Sequence, residues 1–105
     1  MHAMLDREDV TMKDQRELKD LDGVGTAMLR DFQLLKVRNV KELARRNPER
    51  LYEDLCRLTR QSQDICVLDV FRCAVAQARN PRLPAAQRNW WYWSRIRKGK
   101  MEKRK

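Results

Sequence analysis

The sequence predicts an all-α fold. Three observations carry that expectation. Apolar residues recur at three- and four-residue spacing, the period of one helix face. Helix-start signals stand directly before those stretches, two of them an Asn in the cap position. No segment alternates apolar and polar residues as a half-buried strand would.

Asp14 with Glu17 three residues later fits a capping box and predicts a short helix over 14–20. Leu18 and Leu21 form its apolar edge. It stops at Leu21-Asp22-Gly23-Val24-Gly25, where two glycines permit a tight reversal. A second helix is expected over 26–35, with Met28, Leu29, Phe32 and Leu35 on one face. Asn39 with Glu42 opens a third over 40–46, with Val40, Leu43 and Ala44 inward. Asn47 as cap and Pro48 in the first helical position open a fourth over 48–58, burying Leu51, Leu55 and Leu58. Thr59 to Gln63 is polar and breaks the pattern, and Asp64 caps a fifth helix over 65–79. That helix is apolar nearly all round and is therefore the central one, with Asp69, Arg72 and Arg79 as its polar stripe. Pro81 and Pro84 interrupt before a last segment, AAQRNWWYWSRIRK, at 85–98.

These readings divide the chain into a loose, flexible extension at 1–11, a helical domain at 12–80 and a basic, Trp-rich C-terminal arm at 81–105. The chain has 105 residues, enough for one small domain and too few for a barrel or a dinucleotide-binding α/β domain. No apolar run is long enough to span a bilayer and no secretory leader is visible, so a cytoplasmic protein without a membrane partner is expected. Three cysteines, Cys56, Cys66 and Cys73, with one histidine, His2, lack the paired spacing of a zinc site and read as buried thiols. No phosphate-cradling Walker loop and no nucleophile–histidine pair occurs, and Asp69 has Arg72 as a natural ion partner. The expectation is a non-enzyme without a cofactor.

The net charge is +9 and its distribution is uneven. Residues 1–31 balance at −3 (5 basic, 8 acidic), 32–79 at +4 (10 and 6) and 80–105 at +8 (9 and 1). A basic end of this kind attracts polyanions, nucleic acid foremost, or serves only as a solvated tail. Within it, Trp90, Trp91, Tyr92 and Trp93 precede Arg95, Arg97, Lys98 and Lys100. Cations neutralise phosphates and rings stack on bases, a combination suited to single-stranded or distorted nucleic acid. The competing reading is that at least two of the tryptophans dock on the core, since Ala86, Trp90, Trp93 and Arg97 lie near one helical face.

The hairpin at 21–25 has its own chemistry. Leu18, Leu21, Leu29 and Phe32 clamp two helices while Val24 plugs the gap. Free N–H groups at the start of the second helix then form an anion site suited to a phosphate. The plainer alternative is that the glycines only turn the chain. The arrangement resembles the helix-hairpin-helix motif of DNA-binding and repair proteins. ELKDLDGVGTAMLRDF, ELARRNPERLYEDLC, CVLDVFRCAVAQAR and NWWYWSRIRKGK together resemble a family of small bacterial helix-hairpin-helix proteins, the pathogenicity-locus family, some of whose members are labelled mitomycin-resistance proteins.

The resemblance implies a five-helix, SAM-like domain whose second hairpin, at Thr59–Gln63, is a degenerate copy lacking glycines. It implies that Gly23, Val24, Gly25, Thr26 and Ala27 meet a DNA phosphate through the backbone without reading sequence. It also implies that carbonyls of Lys19, Leu21 and Val24 can hold a bridging monovalent cation. Asp22 departs from the motif by placing a carboxylate near that phosphate, and Thr26 and Ala27 stand where lysine is frequent. The expected function is sequence-independent DNA binding in repair or protection. The alternative is a protein–protein adaptor that uses the acidic first helix or the aromatic arm.

Overall fold

The computed structural model describes residues 15–103. Leu18–Asp20 forms one 3-10 turn. Five α-helices follow: α1 (Thr26–Leu34), α2 (Val40–Ala44), α3 (Pro48–Thr59), α4 (Cys66–Arg79) and α5 (Trp90–Lys103). A second 3-10 turn, Ala85–Gln87, precedes α5. No strand occurs among the described residues, and the fold is all-α.

The cap residues do what their chemistry suggests. The Glu42 N–H donates to Asn39 Oδ1 at 2.8 Å to start α2, and the Arg50 N–H donates to Asn47 Oδ1 at 3.0 Å to start α3. The Cys66 N–H donates to Asp64 Oδ1 at 2.9 Å at the entry to α4. The first element differs from expectation. In place of a helix over 14–20 there is only the 3-10 turn, whose cap runs from the Glu17 N–H to Asp20 Oδ2 at 2.7 Å. Leu21 adopts extended backbone and ends it; Asp14 lies outside the described residues.

Helix α4 is the centre, as its apolar circumference suggests, and α2, α3 and α5 lie against it. Phe32 and Phe71 are fully enclosed with ring centroids 5.9 Å apart, and Leu43, Leu51 and Leu55 close the core around them. Leu18, Leu21 and Val24 are buried in the same cluster, so the hairpin is anchored in the core by its own apolar residues. Leu58 and Ile65 differ from expectation, standing 47% and 42% exposed. They flank the turn at 60–64, where Arg60, Gln61, Ser62 and Asp64 are exposed and Gln63 is half-buried.

The polar side of α4 is not where the sequence suggested. Asp69 (0% exposed), Cys73 and Gln77 succeed one another at four-residue spacing and form a buried stripe. Arg72 pairs instead with Glu49 of α3, its Nε donating to Oε2 at 3.0 Å. Arg79 donates to the carbonyls of Ala44 at 2.8 Å and Arg46 at 3.1 Å at the end of α2. The partner of Asp69 is Arg97 of α5, which donates through Nε to Oδ1 at 3.1 Å and through Nη2 to Oδ2 at 3.0 Å. The fork matches both carboxylate oxygens, the strongest geometry open to such a pair.

Only Cys73 is a fully buried thiol; Cys56 and Cys66 are half-buried. Burial pushes the Cys73 thiol up to about 11 from an ordinary 9.0. Its sulfur lies 3.8 Å from the Gln87 carbonyl, which places it between α4 and the entry to α5.

Two expected outcomes follow from this packing. Replacing Arg97 with Met leaves the enclosed Asp69 carboxylate without its partner and lowers the unfolding free energy in urea by about 3 kcal/mol or more. Replacing both residues with apolar ones restores most of that loss. The folded-state shift of Cys73 stabilises the fold fully below pH 9.0, and that contribution falls away as pH rises towards about 11, because the unfolded chain ionises first. Urea titrations across that window show a steeper alkaline decline for the natural chain than for Cys73→Ala.

Candidate nucleic-acid interface

The hairpin is built from residues with separate tasks. The Val24 N–H donates to the Leu21 carbonyl at 3.2 Å and closes the turn. Gly23 between them has φ +85°, in the left-handed region that favours glycine. Gly25 is different. It caps α1 with φ −101° and ψ −167°, extended backbone that any residue adopts. A side chain added there would meet no atom within 4 Å. Neither backbone angle nor internal crowding accounts for glycine at this position.

Gly23, Gly25, Thr26 and Ala27 are all exposed, and their amides have no acceptor among the described residues. The amides of Gly25, Thr26 and Ala27 belong to the first turn of a nine-residue helix, where backbone dipoles add a positive end. Val24 contributes its buried side chain, and its own N–H is engaged in the turn. Of the three carbonyls implied as cation ligands, at Lys19, Leu21 and Val24, that of Leu21 accepts the Val24 N–H and keeps one lone pair.

Gln77 holds the hairpin to the core. The Asp22 N–H donates to Gln77 Oε1 at 2.9 Å, and Gln77 Nε2 donates back to the Asp22 carbonyl at 2.9 Å. One buried amide thus satisfies both backbone groups of one loop residue. Arg16 donates to the carbonyls of Gln77 at 2.8 Å and Ala78 at 3.3 Å, so the segment entering the hairpin is tied to the same turn of α4. The Asp22 carboxylate accepts from Arg88 Nε at 2.9 Å, which offsets the repulsion it would otherwise exert on an approaching phosphate. Arg88 also donates to the Leu83 carbonyl at 3.1 Å.

Sequence reasoning missed a basic groove beside the first arm of the hairpin. An open groove between the 3-10 turn and the α1–α2 connection is lined by Arg16, Lys19, Lys36, Arg38, Arg45 and Arg46, against Glu17 and Glu42. Arg38 is tied to Glu42, whose carboxyl the Arg38 guanidinium holds below its usual range. For Lys36, Arg38, Arg45 and Arg46 the available signal was the +4 balance of 32–79; Arg16 and Lys19 come from the segment that balances at −3, and the six converge only after folding.

The arm is helical and docks through one face. Ser94 is buried, Trp93 is half-buried with its indole N–H donating to the Gln87 carbonyl at 2.9 Å, and Arg97 grips Asp69. Only one tryptophan therefore docks, not two. Trp91 is out of phase with this face and 46% exposed. Trp90 is in phase, but it is the first residue of α5 and stands 41% exposed. Of the cations expected to meet nucleic acid, Arg95 is exposed and lies over the Trp91 ring, 4.7 Å from its centroid. Lys98 is exposed, and Arg97 is turned to the core. The Lys100 side chain lies outside the described residues. Among the described residues no three His, Cys, Asp or Glu side chains converge as a metal site, and no helix is long and apolar enough to cross a membrane.

The model of the pathogenicity-locus family (Cdd1) matches residues 11–99. The chain is 35% identical over 89 residues to a protein of Streptomyces lavendulae named mitomycin resistance protein McrB, a match covering 85% of this chain and 81% of that one. No solved structure matches. A match across nearly the whole helical body and the arm places the chain in a known group: it belongs to the pathogenicity-locus family.

Proposed function

We propose that this protein is a non-catalytic, cytoplasmic module that binds DNA largely without regard to sequence and serves DNA protection or repair. The observation that carries the reading is Gly25. Neither the backbone angles nor the space around a Cβ bars a side chain there, yet the position has none, and the amides beside it are exposed. A ligand that must come close to the backbone accounts for both facts, and a phosphate suits the positive helix end.

The remaining features support the same ligand. Phosphate contacts of this kind position a duplex without reading its bases. A chain of net charge +9, with basic residues lining the groove near the hairpin, attracts a polyanion from a distance. Asp22, the carboxylate beside the amides, is ion-paired and hydrogen-bonded through its own backbone, an arrangement that favours holding over catalysis. The resistance name carried by the Streptomyces lavendulae relative supports a protective role.

Gly25→Asp tests the hairpin without threatening the helix, because Asp is a better cap than Gly and the space beside Gly25 is open. Its melting temperature stays at or above that of the natural chain. Its affinity for a labelled duplex, read by fluorescence anisotropy, falls about tenfold or more, the size of a lost charge-assisted hydrogen bond. For the natural chain, log affinity declines linearly with log salt by about 0.9 for each phosphate neutralised. Undiminished binding by Gly25→Asp, or no duplex binding at low salt, overturns the proposal.

A further inference from the structure

We infer that Trp90 and Trp91 form a stacking platform for unpaired bases, so that the preferred DNA carries a single-stranded segment. This rests on the DNA-binding reading above and adds the strand state of the ligand. The two residues are consecutive at the start of α5 and 41% and 46% exposed, in a chain small enough that buried aromatic area is scarce. Burying a large apolar side chain is worth about 1.5–3 kcal/mol, so leaving two tryptophans half outside calls for another occupant of their faces.

The surroundings select the occupant. Arg95 lies over one face of Trp91, and Lys98 projects into solvent one turn further on. A guanidinium beside an exposed indole offers a phosphate partner and a base partner at neighbouring points, the pairing used on single strands. Residues 80–105 carry nine basic side chains and one acidic, which opposes a basic protein partner and suits a polyanion. A bilayer surface fits poorly. An in-plane membrane helix needs an apolar stripe along its length, whereas among the described side chains of α5 the exposed large apolar ones are the first two, Trp90 and Trp91.

The segment leading into α5 is tied to the hairpin. Arg88, two residues before Trp90, reaches Asp22, the neighbour of Gly23. Stacking is tolerant of base identity because every base has a π face, which agrees with phosphate contacts that read no sequence.

The intact protein is titrated with an oligothymidylate of about 15 nucleotides, a length that fills a single-strand site. Parallel titrations use a blunt duplex of the same length and vesicles of phosphatidylserine and phosphatidylcholine. The single strand quenches the tryptophan emission, and Trp93→Phe retains that quenching. Trp90→Ala with Trp91→Ala weakens single-strand binding about tenfold or more, while duplex binding changes little. The quenching needs no substitution, so a poorly folded variant leaves the test intact. Unchanged single-strand affinity in the double variant overturns the inference, as does emission that responds to vesicles and not to the oligonucleotide. If Gly25→Asp loses duplex binding while the tryptophan variant loses nothing, the platform alone fails. If the tryptophan variant loses single-strand binding and Gly25→Asp loses nothing, the hairpin alone fails.

Discussion

The buried polar stripe on α4 is the constraint on which the rest of the molecule depends. Asp69 and Gln77 are side chains that a helix core excludes unless each has a dedicated partner. Both partners come from outside α4. Gln77 takes the backbone of Asp22, and Asp69 takes the guanidinium of Arg97. Each contact fixes one peripheral piece, the hairpin in the first case and α5 in the second. Apolar packing alone would hold these pieces less specifically, because a greasy surface accepts a small slide whereas a two-point amide or fork contact does not. Cys73 lies between them on the same stripe, close to Gln77 Nε2 at 3.5 Å, so hairpin and arm are registered against one continuous edge.

The hairpin holds more than a turn requires. A loop that only reversed the chain would need one glycine, and Gly23 with its positive φ supplies it. The second glycine and the exposed amides after it are surplus to the turn. Asp22 at first sight argues the other way, since a carboxylate beside a phosphate is repulsive. Its pairing with Arg88 removes most of the objection, and the exposed pair matters more for that charge balance than for stability. Under the proposed reading, neutral amides at short range act with the chain's net charge of +9 at long range.

Local chemistry made much of the fold legible from the sequence. Asn39, Asn47 and Asp64 each act within a few residues, and each caps the helix it announces. The apolar circumference of α4 likewise follows from its own residues. What escaped reading was non-local. Asp69 and Arg97 are 28 positions apart, and nothing near Asp69 says that its partner is not Arg72. Gln77 looks like any polar residue on a helix until Asp22 is brought to it across 55 positions. The tryptophans were misjudged for a related reason. Helical phase groups Trp90 with Trp93 correctly but does not say that α5 starts at Trp90, where the docked face runs out. At the site, the glycines were visible in the sequence, whereas the groove cations scattered from Arg16 to Arg46 were not.

Charge content and charge availability are separate quantities in the arm. Composition counts nine basic residues there as equivalent. Folding divides them: Arg88 neutralises Asp22, Arg97 closes the core over Asp69, and Arg95 and Lys98 remain outward. Removing everything after Ser94 would therefore strip an enclosed carboxylate of its partner along with the free cations, and any lost binding would report both changes at once. Reversing charge at Arg95 and Lys98 alone leaves the Asp69 fork and the Arg88 link in place. The difference between those two experiments measures how far the arm acts as scaffold and how far as ligand surface, a distinction that follows from where each guanidinium ends and not from how many there are.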